Sequence, residues 1–63
     1  MEINERIKQY LVENGIKQSF LAKKMNMSKF TMSSLLNGKR KITAEELNDI
    51  GKALNVNPTI FLD

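Results

Sequence analysis

A short segment in the middle of the chain combines cationic, aromatic and hydroxyl side chains at helical spacing. Within residues 28–37, SKFTMSSLLN, one side of a helix would carry Lys29, Phe30, Ser33 and Ser34. A lysine can donate to guanine O6 and N7, a serine can serve any base edge, and an aromatic ring can touch the thymine methyl group. These residue types in this pattern are typical of a surface that reads bases in the DNA major groove.

The charge distribution favours a polyanionic partner. Residues 17–41 hold seven Lys and Arg residues and no Asp or Glu, although the formal net charge of the whole chain is only +3. A cationic surface without carboxylates is what contact with phosphates requires. A solvated face that serves only solubility is the alternative interpretation of a lysine-rich stretch. The absence of acids over this whole length favours nucleic acid.

The base-reading segment belongs to a pair of short helices joined by a tight turn. The pattern predicts one helix over about 18–25 and a second over 28–36, with Ser28 as the N-cap of the second. Asn26 suits the turn, because asparagine tolerates a positive φ better than most residues. This is the helix-turn-helix layout, centred on residues 18–37, whose second helix enters the groove.

The remaining segments predict further helices around this pair. A first helix covers about 2–13, and the capping box Thr43–Glu46 opens a fourth helix that runs to about Leu54. Pro58 suits the first position of a last short helix. No segment alternates in the way a strand does. The sequence therefore predicts an all-α, compact five-helix fold in a single domain, residues 1–63.

Two features indicate which sides of these helices are buried. Met32, Leu35 and Leu36 lie together on the third helix and should anchor it, which leaves Phe30 on the exposed side. Gly51 lies inside the fourth helix, where glycine costs about 1 kcal/mol of helix propensity relative to alanine. A glycine at that position indicates close packing.

Composition limits the other functions that the chain could have. It contains no cysteine and no histidine, which removes the commonest metal ligands and the commonest general base. We therefore expect no metal site, no cofactor and no enzymatic activity. No apolar run approaches the roughly 20 residues of a membrane span, and the N-terminus lacks the layout of a signal peptide. We expect a cytoplasmic protein without a membrane partner.

The run from Gln18 to Gly38, QSFLAKKMNMSKFTMSSLLNG, resembles the helix-turn-helix of the lambdoid phage repressor and Cro family, an XRE-like family. Residues 47–58, LNDIGKALNVNP, are similar to the fourth helix of that family and the turn after it. The resemblance covers roughly residues 5–62. It implies a lambda-repressor-like fold of five helices and binding to operator DNA as a transcriptional regulator, usually as a dimer.

The resemblance also implies roles for single residues. Lys29 and Phe30 match the first two base-reading positions of the family and Ser34 matches the third, with Ser33 beside it. Phe30 departs from the polar residue usual there. Lys17 stands where a serine or threonine cap is common, which suits a phosphate contact. The residues that match other phosphate-contacting positions are Gln18, Asn37, Lys39, Arg40 and Lys41.

Several alternatives stay open at this stage. The fold can also serve as a protein-interaction module or an antitoxin component, which acids or large apolar patches on the third helix would mark. Phe30 hints at such a patch, whereas the acid-free block argues against it. Each named surface residue can also be an ordinary solvated side chain. Four apolar residues either form a homodimer surface for a palindromic site or complete the core of the monomer: Val56, Ile60, Phe61 and Leu62.

Overall fold

A computed structural model describes residues 1–62 of the chain. The longest helices have 11 residues, and none in this part of the chain is long and apolar enough to cross a membrane. These residues form no strand, so the predicted all-α fold is confirmed; the fifth element is a 3₁₀ helix. The elements are α1 (Ile3–Glu13), α2 (Gln18–Lys24), α3 (Lys29–Leu36), α4 (Ala44–Leu54) and the 3₁₀ helix (Pro58–Phe61).

Local signals in the sequence determine where the helices begin. The Ser28 hydroxyl accepts a hydrogen bond from the Thr31 backbone N–H and caps α3. Thr43 and Glu46 form a reciprocal capping box at the start of α4. Asn26 adopts φ 59° in the turn between α2 and α3. The predicted caps and the predicted turn residue are therefore confirmed.

An apolar cluster joins all five elements. The ring of Phe61 packs edge-on against Tyr10, with 5.6 Å between ring centroids, and so ties the 3₁₀ helix to α1. Partly buried Met25 and Met27 pack against the cluster at the turn after α2. The helix pair α2–α3 therefore rests on a shared core. The fully packed members of this core are Ile7, Leu11, Leu21, Ala22, Met32, Leu36, Ile50 and Phe61.

The four apolar residues near the C-terminus divide between core and surface. Phe61 is buried and Val56 is partly buried against the core. Both complete the core of the monomer. Ile60 and Leu62 remain 48% and 43% exposed. The monomer-core alternative therefore holds for Phe61 and Val56. A homodimer surface stays a prediction, for which Ile60 and Leu62 are accessible.

The C-terminal half of α4 packs closely on the segment that follows it. Gly51 is buried, and a Cβ atom at this position would lie 2.8 Å from Pro58 Cδ and 2.9 Å from the Val56 carbonyl oxygen. Cβ atoms essentially never approach another heavy atom within 3.0 Å, so any side chain at position 51 would force Pro58 or the backbone at Val56 to move. The close packing predicted at Gly51 is confirmed.

Candidate nucleic-acid interface

The position of α3 is set by its inward side. Met32, Leu35 and Leu36 are each 0% exposed. The turn before α3 is closed by the Met27 backbone N–H, which donates to the Ala22 carbonyl at 2.8 Å. Because these contacts hold one side of α3 against α2 and the core, the other side must face solvent.

The outward side of α3 carries the four predicted base-reading residues. Phe30 is 87% exposed, Lys29 and Ser34 are exposed, and Ser33 is half-buried. Their spacing along a helix puts them on one surface, and α3 contains no acid. The structure therefore brings these four side chains together on an accessible, acid-free face.

The predicted phosphate-binding residues lie before α2 and after α3. Lys17 is the N-cap residue of α2 and makes no side-chain capping hydrogen bond. Gln18 follows it, and both side chains are exposed. Asn37 is the C-cap of α3. The cations that come after it are also exposed: Lys39, Arg40 and Lys41.

Two side chains of α1 reach the C-terminal end of α3. Lys8 Nζ donates to Asn37 Oδ1 at 2.9 Å, and Asn37 Nδ2 donates in turn to Ser33 Oγ at 3.1 Å. Asn4 Nδ2 donates to the Leu36 carbonyl at 3.0 Å. Neither α1 residue lies in the acid-free block 17–41, and nothing in the local sequence pattern marks them, so their part in this contact could not be predicted from the sequence.

Arg40 forms an ion pair with Glu46, an acid that lies outside the acid-free block 17–41. Its Nη1 and Nη2 donate to Glu46 Oε1 and Oε2 at 3.0 and 2.8 Å. The bonds from Arg40 and from the Thr43 backbone N–H lower the pKa of Glu46 from its ordinary 4.5 to about 2. The charge of Arg40 is thus paired, whereas no carboxylate among residues 1–62 pairs with Lys39 or Lys41.

This arrangement is that of a helix-turn-helix domain that binds nucleic acid: two short helices cross at a tight turn, and the second presents an exposed face without acids. The family of Cro/C1-type HTH DNA-binding domains matches residues 6–61. The chain belongs to this family, which confirms the resemblance described above. No curated protein and no solved structure matches the chain significantly.

Proposed function

We propose that this chain is a sequence-specific regulator of transcription that places α3 in the major groove of an operator, with residues 1–63 acting as one DNA-binding unit. The observation that supports this best is the accessible, acid-free side of α3, whose opposite side is fixed by Met32, Leu35 and Leu36. Rigid support matters because reading a base edge requires donors held to within about 0.5 Å.

The base-reading roles follow from the chemistry of each side chain. Lys29 donates to guanine O6 and N7, and Ser34 serves any base edge. Ser33 Oγ accepts from Asn37, so its own hydroxyl hydrogen stays available for a base. Phe30 has no polar group, and the apolar group that the major groove offers it is the thymine methyl. Each good bidentate contact is worth about 1–3 kcal/mol of discrimination.

The phosphate contacts supply affinity that does not depend on sequence. Lys17 and Gln18 would bind the backbone on one side of the groove. Asn37 and the 39–41 loop would bind it on the other side, which fixes the register of α3. Arg40 belongs to this set, but because it pairs with Glu46 it should contribute less to the affinity for phosphates than the two lysines do. Lys39 and Lys41 should release most of the counterions from this loop.

Occupancy of the operator would then control transcription, most simply by blocking polymerase as a repressor. One domain of this type buries an interface of about 600–1,000 Å². Two copies on a palindromic site, about 34–36 Å apart, would gain useful affinity. Exposed Ile60 and Leu62 are the residues we propose for contact between the copies.

A titration of the protein with a random duplex tests DNA binding itself. Fluorescence anisotropy should show affinity falling roughly a hundredfold between about 50 and 200 mM salt, the loss expected when about four cations, here three lysines and Arg40, release phosphate counterions. No binding at the lower salt concentration would favour the alternative, a protein-interaction module or antitoxin component. The observation that favours this alternative is Phe30, which is 87% exposed and could contact an apolar surface of a protein partner.

Selection from random duplexes tests sequence specificity and then the role of Phe30. A single recovered sequence pattern is expected, with two symmetric halves if two copies bind. Replacing thymine by uracil in that pattern removes only the methyl group. The parent should lose affinity at one or more of these positions, and Phe30→Ala should not. Equal losses in the two proteins would exclude methyl reading by Phe30.

A further inference from the structure

Lys8 lies on α1, outside the acid-free block 17–41, yet its ammonium is at the end of the proposed reading helix. Its Nζ is 2.9 Å from Asn37 Oδ1. Asn4, one helical turn earlier, is 3.0 Å from the Leu36 carbonyl. One side of α1 therefore meets the C-terminal end of α3 through an ammonium and an amide.

The ammonium of Lys8 has donors left over after this contact. A lysine ammonium has three N–H donors, and the amide oxygen of Asn37 that receives one of them is neutral. No carboxylate among residues 1–62 pairs with Lys8. A half-buried lysine that is held by a neutral group and lacks an anionic partner is suited to bind an anion from outside.

A cleft that carries three cations adjoins the Lys8–Asn37 contact, although Lys8 itself does not line it. The cleft lies between the start of α1 and the loop after α3, and the Asn37 that accepts from Lys8 is part of its lining. Glu2 is the acid in this lining. The remaining polar and charged residues of the cleft are Asn4, Lys39, Arg40 and Lys41.

We propose that Lys8 binds a DNA phosphate and that Asn37 positions its ammonium, so that α1 contributes to the interface. This proposal rests on the proposed function. The hydrogen bonds from Lys8 to Asn37 and from Asn37 to Ser33 connect the phosphate contact with a base-reading hydroxyl. Backbone binding at α1 and the orientation of Ser33 are therefore coupled.

A purely structural role for Lys8 makes a different prediction. A cation at a helix C-terminus interacts favourably with the helix dipole, so Lys8 could serve only to stabilise the end of α3. Its removal would then lower the melting temperature without a specific change in the salt dependence of DNA binding. The phosphate role instead requires that the salt dependence itself decreases.

The test compares Lys8→Gln with Lys52→Gln on a random duplex. Both variants remove one positive charge. Lys52 is an exposed lysine of α4, and the cleft beside it contains no residue of the proposed interface, so Lys52→Gln controls for the loss of charge alone. The slope of log affinity against log salt should fall in magnitude by about 0.9 for Lys8→Gln. It should change far less for Lys52→Gln, and Lys8→Arg should restore the parent slope.

A second measurement needs no variant. In the parent, the side-chain ¹⁵Nζ resonance of Lys8 should shift when duplex is added, while that of Lys52 should not. Equal slopes for Lys8→Gln and Lys52→Gln, or a Lys8 resonance that does not respond to DNA, would overturn the proposal even where the parent binds DNA well. A parent that fails to bind duplex at low salt would instead reject the proposed function, and this proposal with it.

Discussion

The two sides of α3 differ in almost every physical property. On the inner side, Met32, Leu35 and Leu36 are 0% exposed, and on the outer side Phe30 is 87% exposed. The helix that carries both has only eight residues. The inner side holds the helix in place, while the outer side makes no core contacts and can serve binding. Substitutions on the inner side should change folding, and those on the outer side should change binding.

The largest effect should come from the inner side. Met32→Ala removes a fully buried side chain and should lower the free energy of unfolding by about 2–5 kcal/mol. Urea denaturation would measure the loss. Ser34→Ala, on the outer side of the same helix, should change the stability by less than about 0.5 kcal/mol. Similar losses of unfolding free energy in the two variants would show that the two sides of α3 do not differ in their contribution to folding.

Lys29→Ala should give the next largest effect, on binding and not on folding. Loss of its contact to a base should weaken binding to the selected operator by about 1–3 kcal/mol and relax the preference at that position. Lys41→Ala is the matched control, because it should weaken binding to all duplexes about equally. If the Lys29 variant bound the selected operator as well as the parent did, the base-reading assignment would be wrong.

Gly51→Ala tests the close packing of α4 in a region away from the proposed interface. The new Cβ would lie 2.8 Å from Pro58 Cδ, and overpacking typically costs about 1–3 kcal/mol. The gain in helix propensity, about 1 kcal/mol, should not offset it, so thermal unfolding should occur at a lower temperature. Asn48→Ala, exposed on the same helix, should not destabilise. A more stable Gly51 variant would contradict the tight packing.

The smallest effect concerns the pair Arg40–Glu46 beside the interface. Folding lowers the pKa of Glu46 from 4.5 to about 2. The ionised carboxylate therefore stabilises the fold fully above pH 4.5, and this contribution is lost as the pH falls towards 2. The melting temperature of the parent should therefore drop more across this window than that of Glu46→Gln, which keeps the capping oxygen. Parallel pH profiles for the two proteins would show that the ion pair contributes nothing.

Much of the fold could be predicted because its signals are local. Ser28 and Thr43 cap the amides of the next turn, and Asn26 satisfies a turn that needs positive φ. The periodicity of Met32 and Leu35 indicated which side of α3 is buried, and so which side is exposed. These signals act within a few residues, so they can be read before any long-range contact is known.

The rest depends on side chains that meet across the fold. Lys8 and Asn37 are 29 positions apart, and no local pattern connects them. The pairing of Arg40 with Glu46 crosses from a loop to the start of a helix, so counting charges by segment overstated the free charge of the 39–41 loop. The division between buried Phe61 and exposed Ile60 likewise depends on how the 3₁₀ helix docks on α1.

Binding of operator DNA by α3 can be tested residue by residue, by titrating the ¹⁵N-labelled protein with its selected operator and monitoring the amide resonances by NMR. The largest amide shifts should occur at residues 17–18 and 29–34 and in the loop 37–41. Little change is expected in α4 beyond its first turn. Shifts concentrated at Ile60 and Leu62, with residues 29–34 unaffected, would show that α3 does not contact the DNA.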